Sequence, residues 1–509
     1  MNINPLKNDL SGLRVTVMGL GVHGGGLAAA QYAVRRGAKV TVTDLRDEGA
    51  LASSLDHLPD GCRVVLGRHE REDFSTADLV IKNPAVPRRA PLLAEAPAVT
   101  SDIALFLAEW TGLNAGVSAA TGSAGSAPLV GVTGTKGKST CTSLTAHLLA
   151  GTFPGTRLGG NITISPLAFL DDLTPGDPVV LELSSFQLGD LAFFRRHNRR
   201  EGSRIPQGLP EAVFLPVLPA LVGVITNILR DHQDYYRSMD DYVEDKREVY
   251  RNVPSDGAVI LPADDPWTSS FLADLDGAGF RGRKYLVGAD GNDDAGDDDG
   301  GDDDGGDARR AAVPRPETLP LPGRHNRLNI RMAMLAARHV GVPEETVLQR
   351  LATFPGVPHR MQTVARRRGI RYVNDTAATI PEAAREAVTA YAEDPGTGLV
   401  CLIAGGSDKG LDMAPLLEAF RVVGTTGGAV ALLAGTATDR LMPYLDGDRL
   451  PPIRTFESLR EAVDFLTEHA GTGGPKESVI LLSPGCASFG MFRNEFDRGN
   501  QFIQLVGEA

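Results

Sequence analysis

The stretch LVGVTGTKGKST, residues 129–140, decides how the rest of this 509-residue chain is read. An apolar run enters a glycine-rich turn, Lys138, Ser139 and Thr140 follow, and the helical pattern CTSLTAHLLA continues from there. A strand, a turn and a helix start in that order set successive backbone N–H groups around an anion, and the helix dipole adds positive potential at the same place. Gly134, Thr135, Lys136 and Gly137 would form the cradle and Lys138 would set a mobile charge on the outer phosphates. A hydroxyl of Ser139 or Thr140 would reach the accompanying magnesium ion. The spacing predicts an ATP site of the phosphate-loop type.

A magnesium–triphosphate pair also needs a carboxylate at the end of a neighbouring strand. Residues 178–185, PVVLELSS, supply Glu182 after a run of apolar residues. A charge there is costly unless it is paired or bound to a metal. Further on, His232 follows the apolar run LVGVITNI, and Lys246 lies 14 residues later on a helix that Ser238 is placed to cap. Either residue alone reads equally well as structural. Their position beyond a strand end, where open α/β sheets bind ligands, makes both candidates for catalysis beside Lys138 and Glu182.

A second glycine turn stands earlier, in VMGLGVHGGG at 17–26. Gly19, Gly21 and Gly24 match G-x-G-x-x-G after an apolar run, and Asp44 closes a second run 20 residues beyond Gly24. This spacing brings N–H groups and a helix N-terminus up to a diphosphate, with an acid for a ribose hydroxyl. By itself the turn specifies a nucleotide-shaped pocket and leaves the nucleotide open.

Composition narrows the class. With 42% hydrophobic and 23% charged residues the chain reads as an ordinary soluble globular protein. Its longest apolar stretch, 212–228, holds Pro216 and Pro219, which suits a loop entering a buried strand rather than a membrane span. Ten aspartates between 290 and 307 account for most of the net charge of −13, so the rest is close to neutral. That tract, with no apolar surface to bury, is expected to be a disordered insertion. Cys62, Cys141, Cys401 and Cys486 form no C-x-x-C pair, which argues against a structural zinc or a disulfide framework and fits a reducing cytoplasm.

Short Val/Ile/Leu-rich runs alternate with helical patterns throughout, the signature of parallel sheets flanked by helices. Strands are expected at 14–18, 39–43, 63–66 and 79–81, then in the second block at LVGVT, PVVLE, LVGVITNI and GAVILP. A third block offers IRYVN, GLVCLIAG, GAVALL and SVILL. The expected fold class is α/β with three domains. A Rossmann-like N-terminal domain covers 1–112, a Gly/Ala/Ser linker 113–128, a central phosphate-loop ATPase-type parallel-sheet domain 129–355, and a C-terminal Rossmann-like α/β domain 356–509, with the Asp/Gly insertion at 289–308.

The ordered motifs GVTGTKGKST, LGGNI, LELSSFQL, Asp231–His232, GRHNRLN, GVPHRMQ, Asn374–Asp375, GGSDKG and LSPGCASFGMFRNEFDRG span nearly the whole chain. In them the sequence resembles the Mur ligases, ATP-dependent amide-bond enzymes of peptidoglycan precursor synthesis, and among these the branch that adds glutamate to UDP-N-acetylmuramoyl-L-alanine. The resemblance implies that the first domain holds the UDP of the substrate, through Gly21, Val22, His23, Asp44, Arg46 and Asn83, with Asn161 near its phosphates. It implies that Asn326, Asn329, Arg360 and Asp375 hold the adenosine and γ-phosphate side of ATP. Ser139 or Thr140 with Glu182 would serve one magnesium ion, and His232 with Lys246 a second. Lys246 would be open to carbamylation, which turns a cation into a carboxylate.

The resemblance further implies ATP, two magnesium ions, a UDP-sugar and glutamate as ligands, with no nucleic-acid or membrane partner, in a cytoplasmic monomer. The amino-acid pocket departs from the family pattern. Ala377 stands where a lysine helps to hold the incoming amino acid, and Glu495 replaces an aromatic residue, which leaves Thr379, Lys409, Ser488 and Phe489 as its candidate contacts. D-glutamate is the expected substrate and L-glutamate the alternative. A nucleotide-dependent switch without chemistry is the rival of another class, and a folylpolyglutamate synthase-like ligase the nearest enzyme rival. Insertions near 195–215 and 286–312 receive no role from the sequence.

Overall fold

The computed structural model describes residues 8–22, 24–115, 128–162, 164–233, 235–288, 309–310, 324–445, 450–471 and 474–508. His23, most of the 113–128 linker and the 289–308 insertion, all singled out above, lie outside the described residues.

The first sheet has five parallel strands: β1 (Arg14–Met18), β2 (Lys39–Asp44), β3 (Arg63–Leu66), β4 (Leu79–Lys82) and β5 (Val99–Thr100), in the order β3-β2-β1-β4-β5. The second has seven: β6 (Leu129–Thr133), β7 (Arg157–Gly160), β8 (Val179–Glu182), β9 (Val222–Ile225), β10 (Ala258–Pro262), β11 (Arg283–Val287) and β12 (Arg309–Arg310). They run parallel in the order β12-β11-β10-β9-β6-β8-β7. Every residue of β6, β8, β9 and β10 is buried, as strands covered on both faces must be, which is why their sequences read as unbroken apolar runs.

The third sheet comprises β13 (Gln362–Arg367), β14 (Ile370–Asn374), β15 (Thr397–Gly405), β16 (Val430–Leu433), β17 (Ile453–Phe456) and β18 (Glu477–Leu482), ordered β13-β14-β18-β15-β16-β17. It is mixed rather than purely parallel, because β13 returns antiparallel to β14 through a tight turn at Arg368 and Gly369. β13 escaped the sequence reading because its residues are half-exposed and polar, QTVARR, as an edge strand tolerates.

The chain divides into two compact units, the first holding both parallel sheets together with residues 328–350, the second holding the third sheet. The first two sheets share one apolar core. Phe106, on the helix Asp102–Leu113 beside the first sheet, meets Phe169 of the central region edge-on at 6.0 Å.

Residues 198–214, part of the insertion to which the sequence assigned nothing, seal the same seam. The buried Asn198 amide accepts from the Val99 N–H at 2.9 Å and donates to the carbonyls of Val99 and Phe214 at 2.8 and 2.9 Å. Thr100 donates to the Val213 carbonyl at 2.8 Å. The open edge of β5, which would otherwise leave backbone groups unpaired, is thereby closed.

Candidate active site

In the second sheet β6 lies between β8 and β9, so the turn that leaves β6 is flanked by the carboxyl ends of both neighbours. Two glycines fix its shape. A Cβ at Gly134, whose φ is +143°, would stand on the Thr226 hydroxyl, and one at Gly137, φ +80°, would stand 2.5 Å from the Asn329 Oδ1. Only glycine accepts both the backbone angle and the crowding. Gly137 then opens the helix Lys138–Leu149, leaving its first N–H groups directed at the turn.

β9 braces the turn from one side. Thr226 Oγ1 donates to the Lys136 carbonyl at 2.6 Å, Asn227 Oδ1 accepts from the Lys136 N–H at 2.9 Å, and the Thr135 N–H donates to the Asn227 carbonyl at 2.9 Å. Neither Thr226 nor Asn227 was singled out from the sequence. The signal was present: a Thr-Asn pair directly after the buried strand that neighbours a phosphate loop.

Glu182 ends β8, 2% exposed. Its Oε1 accepts from the Asn161 side chain at 2.8 Å, and its Oε2 is buried without a hydrogen-bond partner among the described residues. An orphaned buried carboxylate oxygen is unfavourable unless a cation completes it. The donor set therefore fits a hard divalent ion. No group of three or more His, Cys, Asp or Glu able to hold a metal occurs among the described residues. One carboxylate, a hydroxyl from Ser139 or Thr140, and phosphate oxygens with water is the set that magnesium takes in nucleotide sites. Asn161, expected near the phosphates of the UDP-sugar, is brought to this carboxylate because Gly160 pairs with Glu182 across β7 and β8.

Lys246 sits near the end of the helix Met239–Arg247, which Ser238 caps through the Asp241 N–H at 3.1 Å. The lysine is 1% exposed, lies 4.6 Å from the centre of the Tyr242 ring, and donates to the Gly134 carbonyl at 2.8 Å. Burial, and next the charge of Lys138, hold its pKa well below the usual lysine value against the opposing pull of Asp231 and Asp245. His232 has a left-handed backbone, φ +52°, and packs on Phe186 at 4.8 Å, within a cluster that includes Tyr235, Tyr236 and Tyr242.

In the first sheet Gly21, Asp44, Arg46 and Asn83 come together. Asp44 accepts from the Gly21 N–H at 3.1 Å and pairs with Arg46 at 2.9 Å, while the Asn83 amide nitrogen lies 3.2 Å from where a Cβ at Gly21 would stand. Burial works to raise the Asp44 pKa, but the Arg46 guanidinium and N–H and the Gly21 N–H outweigh it and hold the carboxylate below its usual value. Both Asp44 oxygens are thus engaged by the protein, and the half-exposed Arg46 is the cation that faces outward. Val22 is exposed beside them.

Residues 13–104 match the Mur ligase MurD-like N-terminal domain, 208–337 the Mur ligase middle domain and 359–486 the Mur ligase glutamate ligase domain. A UDP-N-acetylmuramoylalanine--D-glutamate ligase of Roseiflexus sp. (strain RS-1) is 38% identical over 98% of this chain and 99% of its own length. The chain belongs to the Mur ligase family. A protein of the same name from Treponema pallidum (strain Nichols) is 33% identical over 98% of each chain. In fold, a UDP-N-acetylmuramate-alanine ligase from Thermotoga maritima matches with a TM-score of 0.52 at 17% identity, over 97% of this chain and 99% of that one.

The part of this Mur ligase that matches the glutamate ligase domain gathers its own set of loops at the carboxyl ends of β14, β15 and β18. Lys409 donates to Thr379 at 3.0 Å. Ser407 and Ala487 exchange backbone bonds at 2.9 and 3.1 Å, which sets the buried Ser488 and the exposed Phe489 beside the Lys409 loop. Arg498, fully buried and unread in the sequence, donates to Thr376 Oγ1 at 2.9 Å and to the carbonyls of Thr376 and Cys486, tying two of these loops together. Asp375 is buried, accepting from Ser483 Oγ at 2.7 Å and from the Met361 N–H at 3.1 Å. Burial raises its pKa to about 6, against the pull of these two donors and the charge of Arg360. Arg360 is exposed on the bend before Met361, and Asn326 and Asn329 are both buried.

Proposed function

We propose that this Mur ligase joins D-glutamate to the L-alanine carboxylate of UDP-N-acetylmuramoyl-L-alanine, converting ATP to ADP and phosphate, as a cytoplasmic monomer. The observation that carries this reading is the end-to-end likeness to ligases named for that reaction, over 98% of the chain at up to 38% identity. The same names favour D- over L-glutamate. The matched segments 13–104, 208–337 and 359–486 fall inside the proposed limits 1–112, 129–355 and 356–509.

An amide cannot form directly from a carboxylate, because its oxygen is a poor leaving group. A carboxylate oxygen of the L-alanine attacks the γ-phosphorus, the bond to the β,γ-bridging oxygen breaks, and ADP leaves. The glutamate amine then attacks the acyl carbon, loses a proton, and expels phosphate. Two anions must meet in the first step, so positive charge at the phosphate turn is the main requirement. Lys138 and the N–H groups that open its helix hold the phosphates, since Asn227 already takes those of Thr135 and Lys136. Thr226 and Asn227 fix the shape of the turn through their hydrogen bonds to Thr135 and Lys136.

Glu182, with Ser139 or Thr140, would hold one magnesium ion, and His232 with Lys246 a second. When bound, these ions offset the charge between carboxylate and phosphate. Lys246 is buried with its pKa held below the usual lysine value, the direction that favours the neutral amine, and it is this form that adds carbon dioxide: a C–N bond forms, one proton is released, and a carbamate remains. Arg46 and Asn83 would hold the UDP portion, and Lys409 with Thr379 a glutamate carboxylate.

The test is direct. Purified protein given ATP, magnesium, UDP-N-acetylmuramoyl-L-alanine and each glutamate enantiomer should release ADP and form the extended UDP-sugar with D-glutamate. No product with either enantiomer would falsify the assignment, and product with L-glutamate alone would correct its stereochemistry.

A further inference from the structure

Glu182, His232 and Lys246 come from three separate segments, and one side chain of the first domain touches all three. Arg88 donates to the Gly189 carbonyl at 3.3 Å, on the helix Ser185–His197 that begins three residues after Glu182. It donates to the Tyr235 hydroxyl at 3.1 Å, in the segment whose Tyr235 N–H bonds back to the His232 carbonyl. It grips both oxygens of Asp245, the residue before Lys246, through a two-pronged ion pair. Tyr236 also donates to that carboxylate, at 2.8 Å. Gly189 has no side chain to keep Asp245 away, so the two helices meet around the arginine.

The stretch that carries Arg88 has another side. Its residues Asn83 and Val86 lie against Gly19, and Asn83 lies against Gly21, so the same segment forms a wall of the glycine turn assigned to the UDP portion. Lys82, at its start, is fully buried and pairs with Asp190 at 2.6 Å on the helix Ser185–His197, fixing the segment to the central sheet. We propose that Arg88 is a positioning residue: from the UDP-binding side it sets the relative placement of the segments bearing Glu182, His232 and Lys246. The inference rests on the assignment of those three residues to magnesium and ATP.

A planar guanidinium is suited to this, because its donors leave in fixed directions and can serve several acceptors at once. Arg88→Met removes every donor, and Arg88→Lys keeps the charge without the fork. Titration calorimetry of ATP with and without magnesium, together with steady-state kinetics, reads the result. We expect Arg88→Met to lose roughly tenfold or more in magnesium–ATP affinity and in kcat, as outer residues of metal sites do. The KM for the UDP-sugar should shift much less. Arg88→Lys should recover part of both losses.

An arginine that merely stabilised the fold would lower the melting temperature and leave these constants unchanged per folded molecule. Should Arg88→Met fail to fold because Asp245 is left unpaired, Arg88→Met with Asp245→Asn removes that burden. Either variant, folded and with wild-type magnesium–ATP affinity and kcat, overturns the proposal. Wild-type protein that binds magnesium–ATP but forms no product would sink the ligase reading, while the calorimetry would still judge Arg88.

Discussion

Lys138 and Lys246 donate to the same acceptor, the carbonyl of Gly134, at 3.0 and 2.8 Å. One lysine belongs to the helix after the phosphate turn and the other to a helix more than a hundred residues later. Two ammonium groups on one carbonyl repel each other, and Lys246, the buried one, has no ion-pair partner among the described residues. The arrangement favours a neutral amine at Lys246 and leaves the positive charge to Lys138.

Activity is therefore expected to fall in buffer stripped of carbon dioxide and to return on adding bicarbonate. Lys246→Ala should lose roughly 100-fold or more in kcat. Carbon-13 labelled bicarbonate should give a carbamate resonance in the wild type and none in the variant. A labelled wild type without that resonance removes the carbamate from the mechanism.

Glu182→Gln preserves the acceptor for Asn161 and deletes the charge beside the orphaned oxygen. Magnesium–ATP should stabilise the wild type against heat, through binding to the folded state alone, and stabilise the variant far less. Melting curves with ATP, with and without magnesium, measure this. Equal magnesium-dependent gains in both proteins would exclude Glu182 as a ligand.

Lys409→Ala should raise the KM for glutamate roughly tenfold or more, the cost of a lost charge-assisted hydrogen bond, with the KM values for ATP and the UDP-sugar little changed. A rise in the KM for ATP instead would move Lys409 to the nucleotide.

Asp375 carries a pH signature. Its folded pKa of about 6 lies above the ordinary carboxylate value, so the folded state binds its proton more tightly than the unfolded chain does. The resulting stability is complete below about pH 4 and is lost as pH rises through 6, on the order of 2–3 kcal/mol. Asp375→Asn, isosteric and uncharged, should lack this dependence. The melting temperature of the variant should gain on that of the wild type between pH 4 and 7, and a constant difference would refute the shift.

Asn198→Ala should destabilise the first compact unit by about 3 kcal/mol, because it strips partners from buried backbone groups of Val99 and Phe214. Chemical denaturation checks this, and a change below about 0.5 kcal/mol, typical of surface sites, would make the seal incidental.

Glu182 was legible in the sequence because a charge at the end of an apolar run contradicts its surroundings, and such contradictions mark sites. Lys138 was legible from glycine spacing, and the helix of Lys246 from its Ser238 cap. Asn161 was legible as a residue of interest but not as the partner of Glu182, since that pairing depends on which strand lies beside β8. Arg88 gave no signal, because it is separated from Asp245 by 157 positions and sits in an ordinary-looking loop. Asn198 was silent for the same reason.

The local physics written into consecutive residues determined the α/β class, the parallel strands of the buried sheets, the glycine turn after β6 and the family. Hydrophobic period, glycine conformational freedom and helix capping act over a few residues and can be read in order. Only the tertiary structure decided that two sheets share one core, that one Glu182 oxygen is buried without a partner among the described residues, that two lysines meet at Gly134, and that Arg88 joins three segments of the site. Each of these depends on packing between residues far apart in the chain, where strand order and burial, rather than neighbouring residues, set which groups meet.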